Sequence, residues 1–175
     1  MALLRDLMVE NVATIARTAP LAMAEELMKG LKIRHLPVVD DNVLVGLLTF
    51  TDVQRASVSS LTRQPEGLEK RRKQLIDVGA VMTSDPFVMG PDDSVADAVG
   101  WMVRDRLGCV PVVDEVYQLL GMITATDVLN LARVMLERLP VDDASALAAF
   151  ARDQRSNPAT HATPAVAPPR SYPKG

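Results

Sequence analysis

Two short stretches carry the side chains best suited to chemistry, Thr49-Phe50-Thr51-Asp52 and Thr124-Ala125-Thr126-Asp127. Each follows a glycine and two apolar residues, Gly46-Leu47-Leu48 and Gly121-Met122-Ile123, and each leads into a run that can become helical. A threonine hydroxyl can donate to a phosphate; an ionised aspartate only accepts, for example from a sugar hydroxyl. Free N–H groups at a helix start, backed by the helix dipole, favour anions. The pattern therefore suits a nucleotide, with phosphate on the threonines and helix start and ribose on the aspartate. The same residues also suit capping, with Thr51 and Thr126 as N-caps and Asp52 and Asp127 in the first turn. The two roles are compatible, and the stretches alone do not choose between them.

Other chemistries find little support. Two histidines and one cysteine give no set with zinc-ligand spacing. No nucleophile stands beside a base and no glycine-rich phosphate loop is present, so an enzyme is not expected. Cys109 excludes an internal disulfide and reads as a small buried residue. Aromatics make up only 3% of the chain, which counts against a base-stacking nucleic-acid surface. Glu69-Lys70-Arg71-Arg72-Lys73 is the one basic cluster, but Glu66, Glu69 and Asp77 dilute it. It reads as a solvated helix face, and nucleic acid is not an expected partner. The net charge is -3 and 48% of the 175 residues are apolar, enough for an aliphatic core. Met1 to Asp6 lacks the order of a signal peptide, and no apolar run approaches the roughly 18 residues of a membrane span. A cytoplasmic protein is the default expectation.

The elements that must position these stretches come in two copies. Met8 returns as Met82, Ala22 as Ala96, Ala24 as Ala98 and Met28 as Met102. Pro37-Val38-Val39-Asp40 returns as Pro111-Val112-Val113-Asp114, and Leu44 and Gly46 as Leu119 and Gly121. A repeat this long with two copies implies duplicated small domains. A strand opens each copy, Val12 to Ala16 and Phe87 to Met89. A helix follows: Val95, Ala98, Val99 and Met102 form one face, as do Ala24, Leu27, Met28 and Leu31. Ser94 is a natural N-cap with Asp97 in capping-box position, and Gly30 and Gly108 mark the helix ends. A hairpin comes next, Leu36 to Val39 with Val43 to Thr49, and Val110 to Val113 with Gln118 to Thr124. Its turns are acidic, and Pro37 and Pro111 belong at a strand start or an edge. A final helix runs from Asp52 to about Val58 and from Asp127 to about Leu139.

The expected fold class is α+β, two β-α-β-β-α motifs packed about a pseudo-two-fold axis. The divisions are residues 1–60, a linker helix at 61–79, the second motif at 80–139, a C-terminal helix at 140–155, and a Pro/Ala-rich disordered tail at 156–175. Neither copy buries enough surface to be comfortable alone.

With the repeat in hand, the chain resembles the CBS family, named after cystathionine beta-synthase. Met8-Val9, His35-Leu36-Pro37-Val38-Val39-Asp40 and Gly46 to Asp52 carry the resemblance in the first copy, and Val81-Met82-Thr83 through Val128 in the second. Together they resemble a Bateman module, the tandem CBS pair. The resemblance implies a stand-alone regulatory module that binds AMP, ADP, ATP or another adenosine ligand between the motifs, needs no obligatory cofactor, forms homodimers, and modulates an unidentified protein. The alternative is a dimerisation scaffold whose sites no longer bind.

Carried over by residue, a first site would use Thr49, Thr51, Asp52, Arg34, His35 and Leu47, with Met82, Thr83, Phe87, Leu107 and Gly108 opposite. A second site would use Thr124, Thr126, Asp127 and Met122, with Met8, Ala13 and Ile33 opposite. Arg34-His35 in the first copy is Gly108-Cys109 in the second. The Asp52 site is therefore expected to be the better phosphate binder. The Asp127 site is expected to hold a less charged ligand such as adenosine, or none.

Overall fold

The computed structural model describes residues 2–58, 71, 73–138, 148 and 152. The remainder of the linker, and the C-terminal helix and tail apart from Ala148 and Arg152, lie outside the described residues. The first half runs α1 (Leu4–Leu7), β1 (Ile15–Ala16), α2 (Leu21–Leu31), β2 (His35–Asp40), β3 (Val43–Thr49) and α3 (Phe50–Val58). After a short 3-10 turn at Val78–Ala80 come α4 (Val95–Asp105), β4 (Cys109–Val113), β5 (Leu119–Thr124) and α5 (Ala125–Arg138).

In the first sheet β2 lies between β1, which it meets in parallel, and β3, its antiparallel hairpin partner. β4 and β5 form the equivalent hairpin. Both opening strands are shorter than the periodicity predicts. The first keeps only Ile15 and Ala16, and Phe87 to Met89 keeps a single parallel bridge, Met89 to Val112. Pro37 sits inside the middle strand rather than at its start or edge, a place it can hold because β1 pairs only with Val38 and Val39. The first hairpin turns on Asp41 (φ 48°) and Asn42 (φ 67°), residue types that tolerate the left-handed region. In the second, Asp114 Oδ1 accepts from the Val116 and Gln118 N–H groups, both at 2.9 Å.

The helices bury the expected faces. α4 buries Val95, Ala98 and Met102, and Ser94 Oγ caps it by accepting from Ala96 N–H at 3.1 Å. α2 buries Ala24 and Met28, but Leu31 is 53% exposed. Both helices end near the expected glycines, but a non-glycine residue closes each. Lys32 (φ 56°) and Arg106 (φ 55°) take the left-handed terminal position, and the next N–H groups, of Ile33 and Leu107, return to Met28 and Met102 carbonyls at 3.0 Å.

The two motifs exchange their lead-in segments. Leu4, fully buried, belongs to the core of the second motif with Trp101, Met102, Val110, Val112 and Ile123. Val78, also fully buried, belongs to the first core with Ile15, Leu21, Leu36, Leu48 and Val53. The backbone ties match: Leu4 N–H donates to Asp93 O at 2.9 Å, and Val78 N–H to Ala19 O at 2.9 Å. Farther along, Val9 and Met122 exchange N–H···O bonds of 2.9 and 3.0 Å, and Thr83 and Leu47 exchange two of 2.9 Å. These reciprocal pairs are the pseudo-two-fold axis expressed in hydrogen bonds.

The basic cluster is not uniformly a solvated face. Lys73 is only 9% exposed and reaches Glu25 on α2 at 2.7 Å. Burial alone would raise the Glu25 carboxyl, but hydrogen bonds from Lys29 and Lys73 outweigh it and hold it below 4.5. Among the described residues no helix is long and apolar enough to cross a membrane.

Candidate functional site

At each motif's third strand, the last residue is a threonine and the next begins a helix. Asp127 Oδ2 accepts from Thr124 N–H at 2.8 Å and from Thr124 Oγ1 at 2.6 Å. Asp127 N–H donates back to Thr124 Oγ1 at 3.4 Å. Thr49 and Asp52 repeat the arrangement at 3.0, 2.6 and 3.2 Å. This reciprocal cap corrects the expected division of labour. Thr49 and Thr124 cap the helices, whereas Thr51 and Thr126 lie one residue before each aspartate, exposed and outside the cap. Every bond to the aspartates falls on Oδ2, so among the described residues Oδ1 is left to accept from something else.

Gly46 and Gly121 let the lead-in segments come this close. A Cβ on Gly121 would stand 2.7 Å from the Val9 carbonyl oxygen and 2.9 Å from Met8 Sδ. At Gly46 it would meet the Met82 side chain and stand 3.0 Å from the Thr83 carbonyl oxygen. Met8 and Met82 thus pack over the glycines.

Between the motifs lies a cavity of about 610 Å³. Thr124, Thr126 and Asp127 form one wall with Met122 and Ala125. The facing wall comes from the other motif, Val9 to Ala13 without Glu10, and Leu31 to His35. Of the residues expected beside Asp127, the structure brings Thr124, Thr126, Met122, Ala13 and Ile33 to this cavity. Met8 is not among those that line it. Arg34, His35 and Gly108 were expected beside Asp52, yet they line the Asp127 cavity. The expectation that this side lacks positive charge is therefore reversed: Arg34 and Lys32, both exposed, stand on it. Val9, Asn11, Val12, Leu31, Lys32 and Ala125 were missed. The paired repeats held the signal, since a segment preceding one motif's hairpin should face the other motif's Thr-Asp stretch.

The residues named with Asp52 are placed as follows. Leu47 pairs with Thr83, and Met82 packs against the first core. Phe87 and Leu107 pack against the second core, with the Phe87 ring 5.0 Å from Trp101. Arg34 lies over the Phe50 ring at 5.5 Å. His35 stands where the motifs meet: a Cβ on Gly108 would be 2.5 Å from its Nε2. Burial lowers the His35 imidazole below its usual 6.5, the Arg34 charge lowers it further, and Asp52 opposes both. Cys109 is buried and its thiol is pushed up to about 12 by that burial, so it is neither thiolate nor nucleophile at neutral pH. Among the described residues no group of three His, Cys, Asp or Glu could hold a metal ion.

The architecture just described is a tandem pair of one small α+β unit, and the family is shown independently. The CBS domain model matches residues 4–59 and 78–134, and the chain belongs to the CBS-domain family. It is 32% identical over 141 residues to a CBS domain-containing protein of Dictyostelium discoideum, covering 79% of this chain and 96% of that one. It is 33% identical over 124 residues to a homoserine O-acetyltransferase of Methanococcoides burtonii, where the match covers 70% of this chain but only 22% of the relative's length. Among solved structures, CBSX2 in complex with AMP superposes with a TM-score of 0.65 at 26% identity, covering 79% of this chain and all of the other. The CBS domain pair of MJ0100, in complex with 5'-methylthioadenosine and S-adenosyl-L-methionine, superposes at 0.64 and 24% identity over 77% of this chain and 98% of that one. That second likeness shows the fold.

Proposed function

We propose that this chain is a regulatory module that takes an adenosine-containing ligand in the Asp127 cavity and passes its occupancy to a separate protein. The observation that carries the reading is the cavity itself. It sets the exposed Thr126 hydroxyl and the open Oδ1 of Asp127 opposite a wall of the other motif that is apolar at Val12, Ala13 and Ile33 and basic at Lys32 and Arg34. A ribose hydroxyl can donate to Asp127 Oδ1, and the purine can lie against Val12, Ala13 and Ile33. The AMP held by CBSX2 supports the ligand class. A ligand that touches both motifs shifts their relative placement only by its differential affinity for the two arrangements, which makes the junction the signalling element.

A scaffold without ligand is the competing reading. It draws on the caps, because Thr124 and Asp127 already have a structural task. Thermal unfolding with AMP, ADP, ATP, adenosine and S-adenosylmethionine separates the two. A ligand at 100 times its Kd adds about 2.7 kcal/mol, or roughly 2–4 °C in Tm per kcal/mol at this size. Flat melting temperatures across the panel would establish the scaffold.

A further inference from the structure

A second cavity, of about 590 Å³, opens where the lead-in of the second motif crosses the first motif. It shares no lining residue with the Asp127 cavity. The loop between β1 and α2 contributes Arg17 and Thr18, and the lead-in contributes Asp77 and Ser84. Val45 and Met82 add apolar surface.

The repeat shows what the related place holds in the other half. Gly79 N–H donates to the Arg17 carbonyl at 2.9 Å, and Arg5 N–H to the Pro91 carbonyl at 3.0 Å. Gly79 therefore corresponds to Arg5, Arg17 to Pro91 and Thr18 to Asp92. Arg5 and Asp92 form an ion pair within the chain. Thr18 and Gly79 can form none, and Gly79 leaves its space to the Arg17 side chain: a Cβ there would stand 2.6 Å from Arg17 Cγ. One half thus closes this place with its own two charges, whereas the other lines a cavity with charges that stay apart.

Arg17 and Asp77 are the charged residues lining that cavity, and they do not pair with each other. Asp77 precedes the 3-10 turn without capping it. Among the described residues the Thr18 and Ser84 hydroxyls also have no partner. A bare anion suits Arg17 but is repelled by Asp77, and a bare cation meets the reverse. A ligand with both charges satisfies both. The guanidinium fork matches a carboxylate, and Asp77 accepts from an ammonium. The hydroxyls can serve either group, and Val45 and Met82 can cover an aliphatic chain.

We propose that this cavity binds a small zwitterion, an α-amino acid with an aliphatic side chain, with its carboxylate on Arg17 and its ammonium on Asp77.

Titration of the isotope-labelled full chain with L-leucine, L-valine and L-methionine, followed by amide NMR shifts, tests this. Saturable shifts should centre on residues 17–18 and 77–84 and persist in Thr126→Val, a variant of the other cavity. Two relatives of leucine serve as controls: 4-methylpentanoate lacks the ammonium and 3-methylbutylamine lacks the carboxylate. Each should bind at least about tenfold more weakly than leucine, the worth of one hydrogen bond to a charged group. Arg17→Gln and Asp77→Asn, both at exposed positions, should each weaken leucine by about tenfold. The proposal is overturned if none of the three amino acids gives a saturable shift up to about 10 mM. It is equally overturned if either control matches leucine, or if either variant binds leucine as the wild type does.

Discussion

His35 joins the two motifs at a single ring. It fills the space that Gly108 leaves by having no side chain, so the pair is complementary in shape. Two charged groups act on its titration, Arg34 on its own segment and Asp52 on α3, while Lys32 and Asp127 line the cavity it shares. Its pKa is lowered in the folded chain by burial and then by Arg34. As pH falls through 6.5, the unfolded chain takes the proton first. The stability His35 contributes is thus complete above 6.5 and lost below it. Urea unfolding at pH 7.5 and pH 5.5 should show a fall in midpoint that is smaller in His35→Gln. Equal falls in the two proteins would remove His35 from the account. Glu25 follows the same sign but acts in a lower window, below 4.5, so the two are separable by pH.

At the scale of elements, the glycines before the caps decide how close the lead-in segments lie. The hairpin needs no glycine conformation there, since every positive φ in the described chain belongs to a non-glycine residue. What Gly121 supplies is room. The Val9 carbonyl, 2.7 Å from the missing Cβ, cannot retreat without breaking the Val9–Met122 exchange. Gly121→Ala should destabilise the fold by about 1–3 kcal/mol, the usual range for overpacking. Gly30→Ala is the matching control. Nothing lies within 4 Å of its Cβ, and removing a helical glycine should stabilise by about 0.5–1 kcal/mol. Urea unfolding of the two variants should move in opposite directions, and a neutral Gly121→Ala would show that the lead-in packs loosely.

Among the described residues each motif completes the other's core, so the two motifs are expected to unfold together. Leu4 lies far from Trp101 in sequence yet packs in the same cluster, and Val78 does the same for Leu36. What the described fold leaves uncovered is α5, which has no buried residue. Leu129 (70% exposed), Ala132 and Leu136 (52% exposed) fall on one helical stripe, with Met135 (60%) beside it. An apolar stripe of this length suits an interface, and the homodimer that the family resemblance implies would have this face available. Sedimentation velocity should find a dimer in the wild type and a shift toward monomer in Leu129→Glu. A wild-type monomer at high micromolar concentration would refute the pairing.

Sequence by itself determined the repeat, the order of helix and hairpin in each copy, and the helical faces built on Met28 and Met102. Those features follow from local spacing, which acts within a few residues. It also marked Thr49, Asp52, Thr124 and Asp127 as special, though it placed the caps two residues late, because both threonines of each stretch suit a cap and only the strand's end tells them apart. The opening strands were overread: Val12 and Ala13 look like strand but line a cavity, a use no periodicity records. Tertiary structure alone decided which half faces which. Arg34 and His35 precede the hairpin that leads to Asp52, and chain proximity assigned them there. They do stay near that stretch, with Asp52 acting on His35 and Arg34 over Phe50, but the exchange of lead-in segments also brings them to the Asp127 cavity, which thereby gains the positive charge it was expected to lack.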